Sequence, residues 1–118
     1  MKNKKNKEEK RLYDRARRLN IVNLERERAR RLKTNFGLSI SDYETLLKTQ
    51  EYVCAICKQP EVVIERGKLR RLSVDHDHYT KKVRGLLCYS CNLILGKSKD
   101  SSQQLRAAAN YLEQKAGQ

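Results

Sequence analysis

Two Cys-x-x-Cys pairs, Cys54/Cys57 and Cys88/Cys91, flank the tetrapeptide Asp75-His76-Asp77-His78, and Asn92 follows the last cysteine directly. Every cysteine and both histidines of the chain fall in this one stretch. Two tight cysteine knuckles thirty residues apart suit a tetrahedral four-thiolate site, each knuckle supplying half the coordination sphere. Zinc is the expected ion because nothing suggests electron transfer, although thiolates alone do not exclude iron. A redox Cys-x-x-Cys would call for a thioredoxin-like βαβ context and would leave the second pair surplus. A closed site of this kind folds the chain and does no chemistry.

The Asp-His-Asp-His segment has hard ligands and a base. A carboxylate oxygen suits a divalent cation such as Mg²⁺, which keeps waters and takes phosphate oxygens as further ligands. An imidazole can accept a proton from water near neutral pH. Asn92 offers a carbonyl oxygen, and its bond to Cys91 lets the second knuckle fix its place. On a regular strand Asp75 and His76 would face opposite sides, so the strand must twist or end there for both to reach one phosphate. An additional metal site without catalysis is the plainer alternative.

The elements that must position these residues can be read outward from them. Tyr52-Val53 lead into the first knuckle, and Gln59-Pro60 turns the chain. Val62–Ile64 and Leu69–Val74 flank Arg66-Gly67-Lys68 as a β-hairpin. Thr80–Arg84 reads as a basic loop, and Asn92–Lys97 as a short helix ending near Gly96. Upstream, Ser41-Asp42-Tyr43-Glu44 has the form of a capping box for a helix that turns Tyr43, Leu46, Leu47 and Gln50 inward. Downstream, Asp100-Ser101-Ser102-Gln103 caps a last helix with Leu105, Ala108, Ala109 and Leu112 on one face.

The 118 residues carry 27 Lys/Arg against 14 Asp/Glu, a formal charge of +13. Residues 1–33 alone hold a net +9, and four zinc-bound thiolates would lower the total only to +11. Such an excess points to a polyanion, nucleic acid first. A membrane surface fits less well, since the basic arm lacks a Trp/Phe/Leu face, and no run is apolar enough to span a bilayer. The basic start has no apolar segment behind it, as a secretory signal would, so the chain is expected in a reducing cytoplasm. Residues 1–7 are expected to be disordered and about 8–33 helical, ending at Asn35-Phe36-Gly37. With 35% charged residues, one Phe and no Trp, the core must be small and needs a staple.

Cys54-Ala55-Ile56-Cys57, Val74-Asp75-His76-Asp77-His78, Val83-Arg84-Gly85-Leu86-Leu87-Cys88, Cys91-Asn92 and Leu95-Gly96 together resemble the phage recombination endonuclease VII family of His-Asn-His, ββα-metal nucleases. The resemblance covers about residues 36–113. It implies an α+β fold, a zinc-stapled ββα-metal core flanked by helices in residues 34–118; the basic helical or partly disordered arm in 1–33 lies outside the resemblance and is read from composition. It implies structural zinc on Cys54, Cys57, Cys88 and Cys91, and catalytic Mg²⁺ (or Mn²⁺) on Asp75 and Asn92. His76 would then be the general base, and His78 would support the scissile phosphate or the metal shell. Lys81, Lys82 and Arg84 would meet the DNA backbone near the cut, and the arm would add affinity independent of sequence.

One position departs from the pattern. Where the best-studied type of member has an acidic residue three places after the Asn, this chain has Leu95. The implied activity is hydrolysis of DNA phosphodiesters in a bacterial or phage-infected cell, on branched, Holliday-junction-like duplex, as a homodimer because resolution needs paired cuts. The alternatives are a general His-Asn-His nicking endonuclease and a zinc module that binds nucleic acid without cutting it.

Overall fold

The computed structural model describes residues 6–116. The chain divides into two compact units, Met1–Tyr43 and Glu44–Gln118. Within the described residues it is an α+β protein with four helices and two small antiparallel hairpins.

In the first unit, α1 spans Lys7–Phe36, longer at both ends than the sequence suggests. The Asn6 side chain accepts from the Glu9 N–H at 2.8 Å and the Glu9 carboxylate accepts from the Asn6 N–H at 3.3 Å, a reciprocal cap. Residues 6 and 7, expected to be disordered, are therefore ordered by this cap; residues 1–5 lie outside the described residues. At the other end Gly37 adopts φ +68°, which a side chain would resist, and donates to Lys33 O while Leu38 donates to Leu32 O. Most of the apolar side chains of α1, including Leu12, Leu19 and Leu24, stay exposed, and only Leu32 is buried. Arg28 lies over the buried ring of Tyr43 at 5.0 Å.

Helix α2, Ile40–Thr49, starts two residues earlier than a Ser41 cap would allow. Ser39 is the cap: its hydroxyl accepts from the Asp42 N–H, and the Asp42 carboxylate accepts from the Ser39 N–H, both at 3.0 Å. These bonds hold the Asp42 carboxyl below its ordinary range. Both Ser39-x-x-Asp42 and Ser41-x-x-Glu44 satisfy the local pattern. The Gly37 turn brings Ser39 first to the point where a new helix can begin.

In the second unit, β1 (Ile64–Glu65) and β2 (Lys68–Leu69) form a short hairpin around Arg66 and Gly67, both in the left-handed region as a tight two-residue turn requires. The strand expected to run on to Val74 ends at Leu69. A separate strand β3, Ser73–His76, pairs instead with β4, Val83–Leu87. The supposed Thr80–Arg84 loop is thus partly strand. Helix α3, Tyr89–Lys97, packs on β3 and completes a ββα unit. It begins three residues before Asn92 because Cys88, not a residue after the knuckle, is its N-cap. Helix α4, Ser102–Ala116, is capped by Ser101, whose hydroxyl accepts from Gln104 N–H at 3.1 Å.

The core of this unit is small: Leu72, Leu86 and Leu87 with three of the cysteines. Gln50, expected to face inward, does so as a surrogate strand residue. Its amide oxygen accepts from Leu86 N–H at 2.9 Å, and its amide nitrogen donates to Leu86 O and Val53 O, each at 2.9 Å. A Cβ at the adjacent Gly85 would stand 3.2 Å from that amide oxygen, so a larger residue would push the amide back by a few tenths of an ångström. Replacing Gln50 by Ala should orphan a buried N–H and cost about 1–3 kcal/mol in denaturant unfolding with zinc present, while the exposed Lys48→Ala should cost about 0.5 kcal/mol or less. Equal effects would remove Gln50 from the account of the fold.

Candidate metal and nuclease site

The cysteine site is assembled from a turn and a helix end. In the first knuckle Lys58 N–H returns to Cys54 O at 3.1 Å and Cys54 N–H to Gln59 O at 2.9 Å. Lys58 takes φ +61° to close the turn. In the second, Cys88 Sγ accepts from Cys91 N–H at 3.4 Å, so a ligand sulfur caps α3. A helix N-terminus favours a thiolate there. The two knuckles are joined through Ala55, whose N–H donates to Leu86 O at 3.1 Å.

All four sulfur atoms lie within 4.8 Å of one another, and Cys57 Sγ is 3.8 Å from Cys88 Sγ. Sulfurs at the corners of a tetrahedron around zinc, with bonds of about 2.3 Å, stand about 3.8 Å apart. The donor set and its spacing fit a structural zinc ion.

The buried Glu61 ties this scaffold together, and sequence reasoning passed it over. One carboxylate oxygen accepts from Val62 and Val63 N–H at 3.1 and 3.2 Å, the other from Tyr89 N–H at 2.7 Å in the first turn of α3. Arg70 adds a second tie, bonding Glu65 at 3.1 Å and lying over the Tyr89 ring at 4.9 Å.

Protonation of the thiols is uneven. Burial alone would raise Cys54, but N–H groups of Cys88, Cys57 and Ile56 outweigh it and bring the thiol down to about 6. Burial pushes Cys91 up to about 12, reinforced by the neighbouring sulfurs, and raises Cys88 as well. Cys88 and Cys91 must each release a proton when a metal binds at neutral pH. Apparent zinc affinity should therefore rise around pH 7 by about two log units per pH unit, or more, in chelator-competition titrations. A flat profile would mean that those thiolates exist before metal arrives. Stripping the metal should also abolish the helical circular dichroism of residues 44–118.

The Asp-His-Asp-His segment sits where β3 ends. The register shifts between Asp75, opposite Gly85, and His76, opposite Val83, leaving Arg84 as the extra residue of a bulge. The expected end of the strand falls at His76, one step after the register shift. The His76 and His78 rings lie 5.3 Å apart at 59°. Asp77 leaves the strand and organises the following loop. Its carboxylate accepts from Thr80 and Tyr79 N–H, which hold its carboxyl below the ordinary range.

Arg84 does not project freely. Its Nε and Nη2 donate to the two oxygens of Asp75 at 2.8 and 2.9 Å, a bidentate pair that keeps the guanidinium firmly protonated. Nη2 also donates to Asp100 at 3.3 Å, and the same Asp100 oxygen is 3.7 Å from His78 Nε2. The geometry therefore brings Asp75, Arg84, Asp100 and His78 into one connected group. Asn92 lies in the first half of α3, exposed, its N–H donating to Cys88 O at 2.9 Å. Lys81 and Lys82 are exposed in the β3–β4 loop.

In the sequence Asp100 reads only as part of a helix cap. Its position arises from Lys99 and Asp100 both taking left-handed φ, 53° and 58°, with Asp100 N–H donating to Leu95 O at 2.9 Å. A carboxylate thus stands beside the site from a residue anchored to Leu95, the position where the acidic side chain is absent.

Comparison with known sequences follows the same outline. A family profile described as recombination endonuclease VII matches residues 29–114. The chain is similar to the Gene 59 protein of Mycobacterium phage D29, 41% identical over 83 residues, covering 70% of this chain and 47% of that one. It is also similar to the Gene 59 protein of Mycobacterium phage L5, 39% identical over 83 residues, covering 70% and 48%. The chain spans about half the length of these curated relatives. No solved structure matches it.

Proposed function

Given that the chain belongs to the recombination endonuclease VII family, we propose that it is a metal-dependent endonuclease that hydrolyses phosphodiesters of branched duplex DNA. The observation that supports this reading is the break in the β3–β4 register between Asp75 and His76, on the ββα unit that the four clustered cysteines adjoin.

The residues suit a hard divalent ion. Two carboxylates, Asp75 and Asp100, already converge on one cation, the Arg84 guanidinium. Asp75 and Asn92 would hold Mg²⁺, or Mn²⁺, which supplies Lewis-acid charge to the phosphate and the leaving oxygen when bound. His76 takes the proton from the attacking water at an imidazole nitrogen. His78, set against Asp100, supports the scissile phosphate. Arg84 is a cation on the same carboxylate that the metal would use, and once released it can meet a phosphate oxygen. Lys81 and Lys82, exposed in the next loop, add backbone affinity there, and α1, with eleven Lys/Arg in Lys7–Phe36, adds more along the duplex. Few groups are placed to read base edges, so recognition rests on backbone and shape.

A homodimer fits paired cutting of two strands. A general nicking activity is the second reading, supported by the complete Asp75/His76/Asn92 set, which requires no branch.

Cleavage of a four-way junction, a nicked duplex and a linear duplex in Mg²⁺ separates the readings. With zinc content unchanged, His76→Ala should slow cleavage by about 10²-fold or more, the usual contribution of a general base. Wild-type rates in that variant would refute the mechanism, and equal rates on all three substrates would leave only general nicking.

A further inference from the structure

We propose that Tyr79 is a base-stacking site, which holds one unstacked DNA base beside the cutting centre and so supplies the preference for branched over continuous duplex. The inference rests on the nuclease reading for its substrate, DNA, and adds the chemical feature of that substrate which is recognised.

Tyr79 is 97% exposed, the most exposed large apolar side chain among the described residues. It is adjacent to His78 and three residues beyond His76. An aromatic ring on a floppy loop would have little consequence, but this loop is built. Asp77 N–H donates to Lys82 O and Lys81 N–H to Asp77 O, both at 2.8 Å, closing its base. The Asp77 carboxylate accepts from Tyr79 N–H at 2.8 Å and Thr80 N–H at 2.9 Å, and the Thr80 hydroxyl accepts from Lys82 N–H at 3.3 Å. Lys81 takes φ +64° to complete the turn. Five hydrogen bonds therefore hold the backbone on either side of a ring that packs on nothing.

The surroundings select the ligand. Lys81 and Lys82 are exposed in the same loop, so a ring face and two cations are presented together. That pairing matches a nucleotide, a flat base carried on an anionic backbone, better than an apolar protein surface. In continuous duplex every base already stacks on its neighbours and offers no face to Tyr79. At a branch, bulge or end a base is free to leave the stack, and the ring can replace the partner it lost. The discrimination needs no base-edge hydrogen bond and is tolerant of sequence.

The test is binding without cleavage, in buffer lacking Mg²⁺ and with zinc retained, to three probes. These are a four-way junction with 2-aminopurine at the branch, a duplex with one bulged 2-aminopurine, and the continuous duplex of the same sequence. Because Tyr79 packs on nothing, Tyr79→Phe and Tyr79→Ala should melt as the parent does. Tyr79→Ala should lose about tenfold in affinity for the junction and bulge, together with the change in 2-aminopurine fluorescence that stacking produces, and Tyr79→Phe should retain both. The continuous duplex should bind all three proteins alike. Undiminished affinity of Tyr79→Ala for the branched probes, or an equal loss on continuous duplex, would overturn the proposal. Since no cleavage is read, failure of the hydrolytic mechanism at His76 would show separately, in the cleavage assay alone.

Discussion

Four sulfur atoms from two distant parts of the chain must meet, and the second unit is organised by that requirement. Between Cys57 and Cys88 lie both hairpins and the whole Asp-His-Asp-His segment, so closing the cluster closes the loop that carries the chemistry. Three buried leucines could not order such a segment unaided. The free energy of metal binding is in this sense folding free energy. The polar ties at Glu61 and Gln50 then fix what the metal has gathered, one at the start of α3 and one on β4.

The division between soft and hard ligands extends to geometry. Three of the four thiols, those of Cys54, Cys88 and Cys91, are buried, Cys57 is exposed, and their protons are unevenly held. The carboxylates come from two places, Asp75 near the end of β3 and Asp100 from the turn between α3 and α4, with one guanidinium between them. The first arrangement uses its ligands to hold the fold. The second is half-buried at Asp75 and opens to solvent at His78.

Much of this was legible in the chain, because cysteine spacing and the Asp-His-Asp-His pattern are local statements of chemistry. The inward faces of Tyr43, Leu46, Leu47 and Gln50 followed from helical periodicity in the same way. What was not legible depended on partners. Val83 and Arg84 look like part of a basic loop, and only the pairing with β3 makes them strand, since strand formation is decided by neighbours more than by propensity. The Ser39 and Ser41 caps are equally good locally, and the preceding Gly37 turn decides between them. Asp100 was hidden because its sequence context reads as a cap, while its place beside Arg84 depends on two successive left-handed residues.

The juxtaposition of Arg84 and Gly85 has a consequence for how this strand can change over time. One residue grips the carboxylate of Asp75, and the next leaves the amide of Gln50 room that a Cβ, at 3.2 Å from its oxygen, would crowd. A drift in backbone position that relieved crowding at one would be felt at the other, a single peptide away. Substitutions on the two sides of β4 are therefore not independent, and this short segment should vary as a unit, its history recorded in paired replacements rather than single ones.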